Sequence, residues 1–389
     1  MIKLTNPQLQ EAIKDLLNKD NGLNDALQMI INSMMLIERD TILTNQPVEG
    51  NKANGFRYAS ALGFGKEIGL TIPRDRLGVF KPVLLTLIRN QEEKTRDLCF
   101  ELYSKGLTTR QIGEIFENIY GTNYSKSTIS EINKGFYEAM EQWRERPLEA
   151  YYPIIYIDAI HVKIRRETVS SEAFYVILGV KEDTTREIIG IINIPTESAY
   201  GWNEIFKKIK SRGVKTIGLV VADGLIGLEN SVLQQFPQAK FQKCVVHFIR
   251  NILNKIKPAH KAEVAEELKV IFDVRNPNST YQESQSRLIT FVEKWSRLYP
   301  GLKKYQEQNA MIFYFTYLQF DWKIRSMIYT TNWIERLNKD FRRTLKIRNA
   351  MPSFESALTL MSQVALDKGE KHYCYPIPLL KIETTLFRY

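Results

Sequence analysis

Residues 151–165 read YYPIIYIDAIHVKIR, residues 173–183 AFYVILGVKED and residues 186–195 REIIGIINIP. Each run is rich in β-branched and aromatic residues, and short polar, turn-like stretches separate them, so the three read as an antiparallel meander. Downstream, a helical stretch from about Ser198 to Ser211 leads through Gly213 into TIGLVVADG at 216–224, an apolar strand ending at Asp223. A helical LENSVLQQF (228–236), a short AKFQK strand (239–243) and a helix starting near Cys244 complete the series.

The order βββαβαβ with a helix after it predicts the α/β class, as a ribonuclease H-like mixed sheet with helices on its faces. In that arrangement the first and fourth strands lie side by side. Asp158 stands in the middle of the first run and Asp223 at the carboxyl end of the fourth. An aspartate in an apolar strand is costly unless it is paired, hydrogen-bonded or bound to a cation. Two readings therefore stand. In one, a lysine or backbone amide satisfies Asp158, and Asp223 with Gly224 is an ordinary Asp-Gly turn. In the other, the two acids share a hard divalent cation, since Mg²⁺ takes one or two carboxylates together with substrate phosphate and water.

A third acid lies in TTNWIERLNKDFRRTLKIR, residues 330–348. Ile334, Leu337, Phe341 and Leu345 form an apolar stripe at helical spacing, and Glu335 falls on its flank with Lys339, Arg342 and Lys346. Read locally, Asn332 and Glu335 make a capping box and Glu335 pairs with Lys339 on the surface. Yet between Asp321 and Arg348 eight basic residues (Lys323, Arg325, Arg336, Lys339, Arg342, Arg343, Lys346, Arg348) face three acids (Asp321, Glu335, Asp340). A stripe so basic around one carboxylate suits bound phosphodiester better than helix solvation.

The remaining chain organises around this core. Residues 1–45 carry helix-period apolar positions that predict two short amphipathic helices, and 46–82 is a small, basic, Gly/Pro/Asn-rich irregular or β segment. Residues 83–150 read as helical. Within them TTRQIGEIFENIYG and SKSTISEINKGFYEAM, separated by a turn around Gly121, have helix-turn-helix spacing, with Ser125, Lys126, Ser127 and Thr128 placed for phosphate and base-edge contacts. An ordinary helical hairpin fits the same stretch. The catalytic core then occupies 151–249, a helical insertion 250–325, and final helices with a tail 326–389.

The composition sets bounds on function. At 389 residues with 44% hydrophobic and 25% charged residues, the chain buries a sizeable core and is not a disordered tail. A formal net charge of +10 favours a polyanionic partner. Three scattered cysteines, Cys99, Cys244 and Cys374, build neither a disulfide framework nor a four-thiolate zinc site, which fits a reducing cytoplasm. The N-terminus lacks a signal-peptide core, and no run reaches membrane-spanning length, so no membrane partner is expected.

TTNWIERLNKDFRR followed by NAMPSFESALTLM resembles the C-terminal signature of the mutator-type transposases of bacterial insertion sequences. The likeness extends through NGFR (54–57), IPRDR (72–76), TTRQI (108–112), SKSTIS (125–130), IDAIHVKIR (157–165), VVADG (220–224) and FQKCVVHFIRN (241–251). One departure is VEGNKANGFR, where the family carries a more arginine-rich run.

The resemblance implies a DDE transposase in which Asp158, Asp223 and Glu335 hold two Mg²⁺ ions, Mn²⁺ being an acceptable substitute. Double-stranded DNA, both terminal inverted repeats and target, is the implied partner, with a homodimer or higher assembly once two ends are synapsed. Arg57, Arg74, Arg76, Arg110 and residues 125–128 are then expected on DNA, as are Arg336, Lys339, Arg342, Arg343 and Lys346. Trp295 resembles a tryptophan that stacks on an unpaired base, though a core aromatic fits equally. Cys244 and His247 match the family's CxxH and are expected to shape the active-site wall rather than hold zinc. A structure-selective nuclease of the same fold and a binding-only repressor descended from a transposase are the rival readings.

Overall fold

The computed structural model describes residues 22–63, 66–120, 126–193, 199–307 and 311–378. The chain divides into two compact units, Met1–Phe136 and Tyr137–Tyr389.

In the first unit, helix α1 (Gly22–Asn45) packs on an antiparallel hairpin of β1 (Ala53–Gly63) and β2 (Lys66–Asp75). Met35 on the helix meets Ala61, Ile68, Leu70 and Ile72 in a small apolar core. Asn32 fixes the helix to the strand, its Nδ2 donating to the Gly69 carbonyl at 3.2 Å and its Oδ1 accepting from the Thr71 amide at 2.8 Å. The segment read as irregular or β thus contains an ordered hairpin. Helices α2 (Val83–Ser104) and α3 (Thr109–Tyr120) follow, and α4 (Lys126–Glu145) begins in this unit and ends in the second. Thr108 and Gln111 start α3 with a reciprocal capping box, the Gln111 amide donating to Thr108 Oγ1 at 3.2 Å and the Thr108 amide to Gln111 Oε1 at 2.9 Å. Lys126, Ser127 and Thr128 open α4. Ser125, the turn around Gly121 and the first of the two expected N-terminal helices lie outside the described residues.

The second unit is built on a five-stranded mixed sheet of order β5-β4-β3-β6-β7. Strands β3 (Tyr151–Arg165), β4 (Val169–Val180) and β5 (Arg186–Asn193) form the expected antiparallel meander. Helix α5 (Ala199–Ser211) leads to β6 (Thr216–Ala222), which lies parallel to β3, and helix α6 (Leu228–Gln235) leads to β7 (Lys240–Lys243), parallel to β6. Ile155, Ile157, Tyr175, Trp202, Phe206, Val220 and Phe241 join one apolar core under α5 and α6. The alternate residues of β3 face other helices, because successive strand side chains point to opposite sides. The Tyr156 hydroxyl donates to the Met327 carbonyl at 3.1 Å, and Asp158 meets Asn338.

Helix α7 (Val245–Leu253) leaves β7 and enters a helical insertion with α8 (Pro258–Ile271), α9 (Tyr281–Trp295) and short 3-10 turns. The chain then returns through α10 (Trp322–Ile328), α11 (Asn332–Lys346) and α12 (Phe354–Lys368). No helix among the described residues is long and apolar enough to cross a membrane.

Candidate active site

Strand register brings the first two acids together. Ile157 of β3 pairs with Ala222 at the end of β6, so Asp158 and Asp223 come next on neighbouring parallel strands. The Cys244 amide donates to the Ala222 carbonyl at 2.7 Å and closes the sheet at that level. This starts α7 beside the acids and brings His247, three residues on, between them and α11. The Val245 amide donates to the Tyr329 carbonyl at 2.9 Å, which ties the start of α7 to the chain just before α11.

Helix α11 carries the third acid. Ile334, Leu337, Phe341 and Leu345 are all buried, as the stripe predicts. The capping-box reading needs correction: the N-cap is Thr331, not Asn332, and it makes no side-chain cap bond. Glu335 instead faces α7. Its Oε1 lies 3.6 Å from His247 Nε2 and 3.8 Å from Arg250 Nη2, long for hydrogen bonds, and is buried with no hydrogen-bond partner. On the other side of the imidazole, His247 Nδ1 is 3.7 Å from Asp223 Oδ2. One ring thus stands between two of the acids.

The electrostatics couple the three carboxylates. Burial, with only 7% of the residue exposed, pushes the Asp158 carboxyl up to about 6. The charges of Glu335 and Asp223 push the same way, while His247 and the Ala159 amide oppose. His247 is raised to about 9, first by its hydrogen bond to Cys244 and then by the charges of Cys244, Asp223 and Asp158, against the cost of burial. Burial raises the Cys244 thiol, but hydrogen bonds from His247 and Thr331 outweigh it and leave the thiol below its ordinary value.

Several residues here escaped sequence reasoning. Thr331 is fully buried, its hydroxyl donating to Cys244 Sγ at 3.4 Å and lying 3.5 Å from His247 Nδ1. Thr330, also buried, lies 3.8 Å from Cys244 Sγ through its Oγ1. Asn338 is fully buried and donates from Nδ2 to Asp158 Oδ2 at 2.8 Å. Its signal was available, since it stands four residues after Ile334 and so inside the apolar stripe.

Among the described residues no group of three or more His, Cys, Asp or Glu is spaced to hold a metal ion as it stands. The His247 ring separates Asp223 from Glu335. The donor chemistry nevertheless suits a hard divalent cation: every candidate ligand is a carboxylate oxygen, and one of them, Glu335 Oε1, is a buried acceptor without a donor. A cation there would also relieve the repulsion that the charges of Glu335 and Asp223 exert on Asp158.

The expected DNA contacts divide. Arg336, Lys339, Arg342, Arg343 and Lys346 are exposed on α11, and Arg57, Arg74, Arg76 and Arg110 are exposed on the first unit. Trp295 is corrected. It is 3% exposed, its Nε1 donates to Glu267 Oε2 at 3.2 Å, and its ring packs against His260 and Tyr299, so it is a core residue of the insertion with no face open to a base.

Comparison with known proteins adds an independent line. The family model for transposases of the Mutator family matches residues 2–374. The chain is 32% identical over 344 residues to the transposase for insertion sequence element IS905 of Lactococcus lactis subsp. lactis (strain IL1403), covering 87% of this chain and 86% of that protein. It is 31% identical over 367 residues to the transposase for IS1201 of Lactobacillus helveticus, covering 92% and 95%. Against the transposase for IS256 in transposon Tn4001 of Staphylococcus aureus it is 29% identical over 360 residues, 90% of each.

Proposed function

Since this chain belongs to the Mutator family of transposases, we propose that it is a DDE transposase, with Asp158, Asp223 and Glu335 as its divalent-metal ligands in a ribonuclease H-like core. The observation that carries this reading is the convergence of three carboxylates, from β3, the end of β6 and α11, into one electrostatically coupled group. Two Mg²⁺ ions, or Mn²⁺, bound there would supply positive charge to the attacking and leaving oxygens of an in-line displacement at phosphorus. The chain's own residues hold those ligands. Asn338 and the Ala159 amide fix Asp158, the Gly224 amide donates to Asp223 Oδ1 at 2.7 Å, and the packed stripe of α11 sets Glu335. The His247 ring, 3.7 Å from Asp223 and 3.6 Å from Glu335, would border any ions held there. Cys244 and His247 shape the wall of the site and take no part as zinc ligands.

The reaction is nicking at a transposon end, followed by attack of the freed 3′-hydroxyl on a second phosphodiester. The basic face of α11 would track the DNA backbone, and the first unit would bind the terminal inverted repeats. Two ends call for at least a homodimer in the synapse. In the test, Asp158→Asn, Asp223→Asn and Glu335→Gln each abolish Mg²⁺-dependent cleavage while end binding persists. Retained cleavage in any one removes that residue from the assignment. A pre-cleaved 3′-hydroxyl end separates transposase from structure-selective nuclease, since only the former yields joined product.

A further inference from the structure

We propose that Asn338 is a positioning residue for the acidic site, one that sets its affinity for divalent cations by holding Asp158 and by keeping an acceptor beside it. The inference deepens the metal-dependent reading above and rests on it. Glu335 and Asn338 are three residues apart on α11 and so lie one above the other on the same helix face. Asn338 is wholly excluded from solvent. Its Nδ2 makes the 2.8 Å bond to Asp158 Oδ2. That assignment of the amide follows from chemistry, because an ionised carboxylate only accepts hydrogen bonds and must be met by the NH₂ side of the amide.

The consequence lies in what remains. With Nδ2 committed, Asn338 Oδ1 is buried and has no hydrogen-bond partner, and Glu335 Oε1, one turn away, is buried without one as well. An unsatisfied buried polar atom costs about 1–3 kcal/mol, and native proteins keep few of them. Two buried acceptors thus lack hydrogen bonds, Asn338 Oδ1 on the residue that holds Asp158 and Glu335 Oε1 beside the His247 and Arg250 nitrogens at 3.6 Å and 3.8 Å, both beyond bonding distance. A divalent cation with its water supplies what is missing there. A leucine at this position would fill the stripe as well as its neighbours do, so packing alone gives no reason for the amide. Groups hydrogen-bonded to metal ligands orient them, and their loss commonly weakens metal affinity or activity about 10–100-fold.

The test uses full-length protein without DNA and Mn²⁺ as the probe, its free concentration read by electron paramagnetic resonance. Asn338→Leu keeps the branched skeleton, with more bulk, and removes the amide, and the expected result is Mn²⁺ affinity reduced about 10–100-fold with an unchanged circular dichroism spectrum. In a cleavage assay the Mg²⁺ concentration for half-maximal rate rises by a similar factor, while the rate at saturating Mg²⁺ changes much less. Should the leucine variant not fold, Asn338→Ser carries the same two measurements. A merely structural amide would lower melting temperature and leave both metal titrations within twofold of wild type, and that result overturns the proposal. Wild-type protein that binds no Mn²⁺, with Asp158→Asn indistinguishable from it, removes the metal reading and this inference with it. Loss of binding in Asp158→Asn but not in Asn338→Leu removes only the latter.

Discussion

Asp158 and Asp223 are neighbours across a parallel strand pair, each following directly on one of the paired residues Ile157 and Ala222. Their proximity is therefore a property of backbone register rather than of two flexible side chains. A slip of one residue would turn one acid to the opposite face of the sheet. The same register places Asp158 under α11 and aligns the start of α7, through the Cys244 amide, with both.

Burial of Asp158 has a cost that pH exposes. Its carboxyl is raised from 3.8 to about 6, so it favours folding fully below about pH 4, and that contribution is lost as pH rises through about 6. At about 1.4 kcal/mol per pKa unit the loss is about 3 kcal/mol. Asp158→Asn is accordingly expected to stabilise the metal-free protein at pH 7.5 by up to this amount and to change little at pH 3.5, while cleavage disappears. Urea melts in a chelator at the two pH values measure it. A variant less stable than wild type at pH 7.5 would contradict burial as the governing cause.

His247 has the complementary signature in a different window. Its folded-state value of about 9, against 6.5 for a free histidine, means that the stability it adds is full below about pH 6.5 and is lost as pH rises through about 9. The gap in melting temperature between wild type and His247→Gln should therefore be wide at pH 6.5 and close by about pH 10. A gap independent of pH would show that the ring acts by packing alone. If Mg²⁺ is held by the same carboxylates, as proposed above, saturating Mg²⁺ should narrow the gap at pH 6.5.

The Thr331 hydroxyl touches both Cys244 and His247. Thr331→Val preserves shape and removes those contacts, and should cost about 1–2 kcal/mol, since two buried polar atoms lose a partner. The cost is not one of helix capping, because Thr331 makes no side-chain cap bond to α11. Denaturant unfolding of Thr331→Val and Thr331→Ser distinguishes the two, the serine variant retaining most of the stability.

Trp295 yields a prediction in the opposite sense from the one its sequence context invites. Buried against His260 and Tyr299, it should contribute to stability and not to DNA affinity. Trp295→Ala is expected to destabilise by about 3–5 kcal/mol. Trp295→Phe, milder, should leave binding to a 40-base-pair duplex within twofold. A tenfold loss of affinity in a folded Trp295→Phe protein would restore the stacking role.

Arg342 and Lys346 are exposed on α11 and, among the described residues, form no ion pair. If both neutralise phosphates, Arg342→Gln with Lys346→Gln should reduce the slope of log affinity against log salt by about 2, from roughly 0.9 per phosphate contact. Fluorescence anisotropy of a labelled duplex over a range of salt concentrations reads the slope directly. An unchanged slope takes this face off the DNA.

Much of this was legible in the linear order. Strand composition and the positions of turns give the βββαβαβ core, because a buried strand must be apolar and β-branched wherever it lies. The apolar stripe of α11 follows from helical periodicity, and the acids stand out as charges in or beside apolar runs. What the order of residues left open was every relation between elements. Whether Glu335 caps its own helix or faces a distant one depends on the seating of α11 against α7, which brings Arg250 and His247 to it. Asn338 looks like any polar helix residue until β3 places Asp158 under it. Trp295 has the same local sequence whether buried or exposed, and only the packing of α8 against α9 decides. Periodicity fixes which face of an element is apolar, and local sequence carries that in full. Which partner a polar side chain meets depends on the packing of segments that are far apart in the chain, here 180 residues between Asp158 and Asn338.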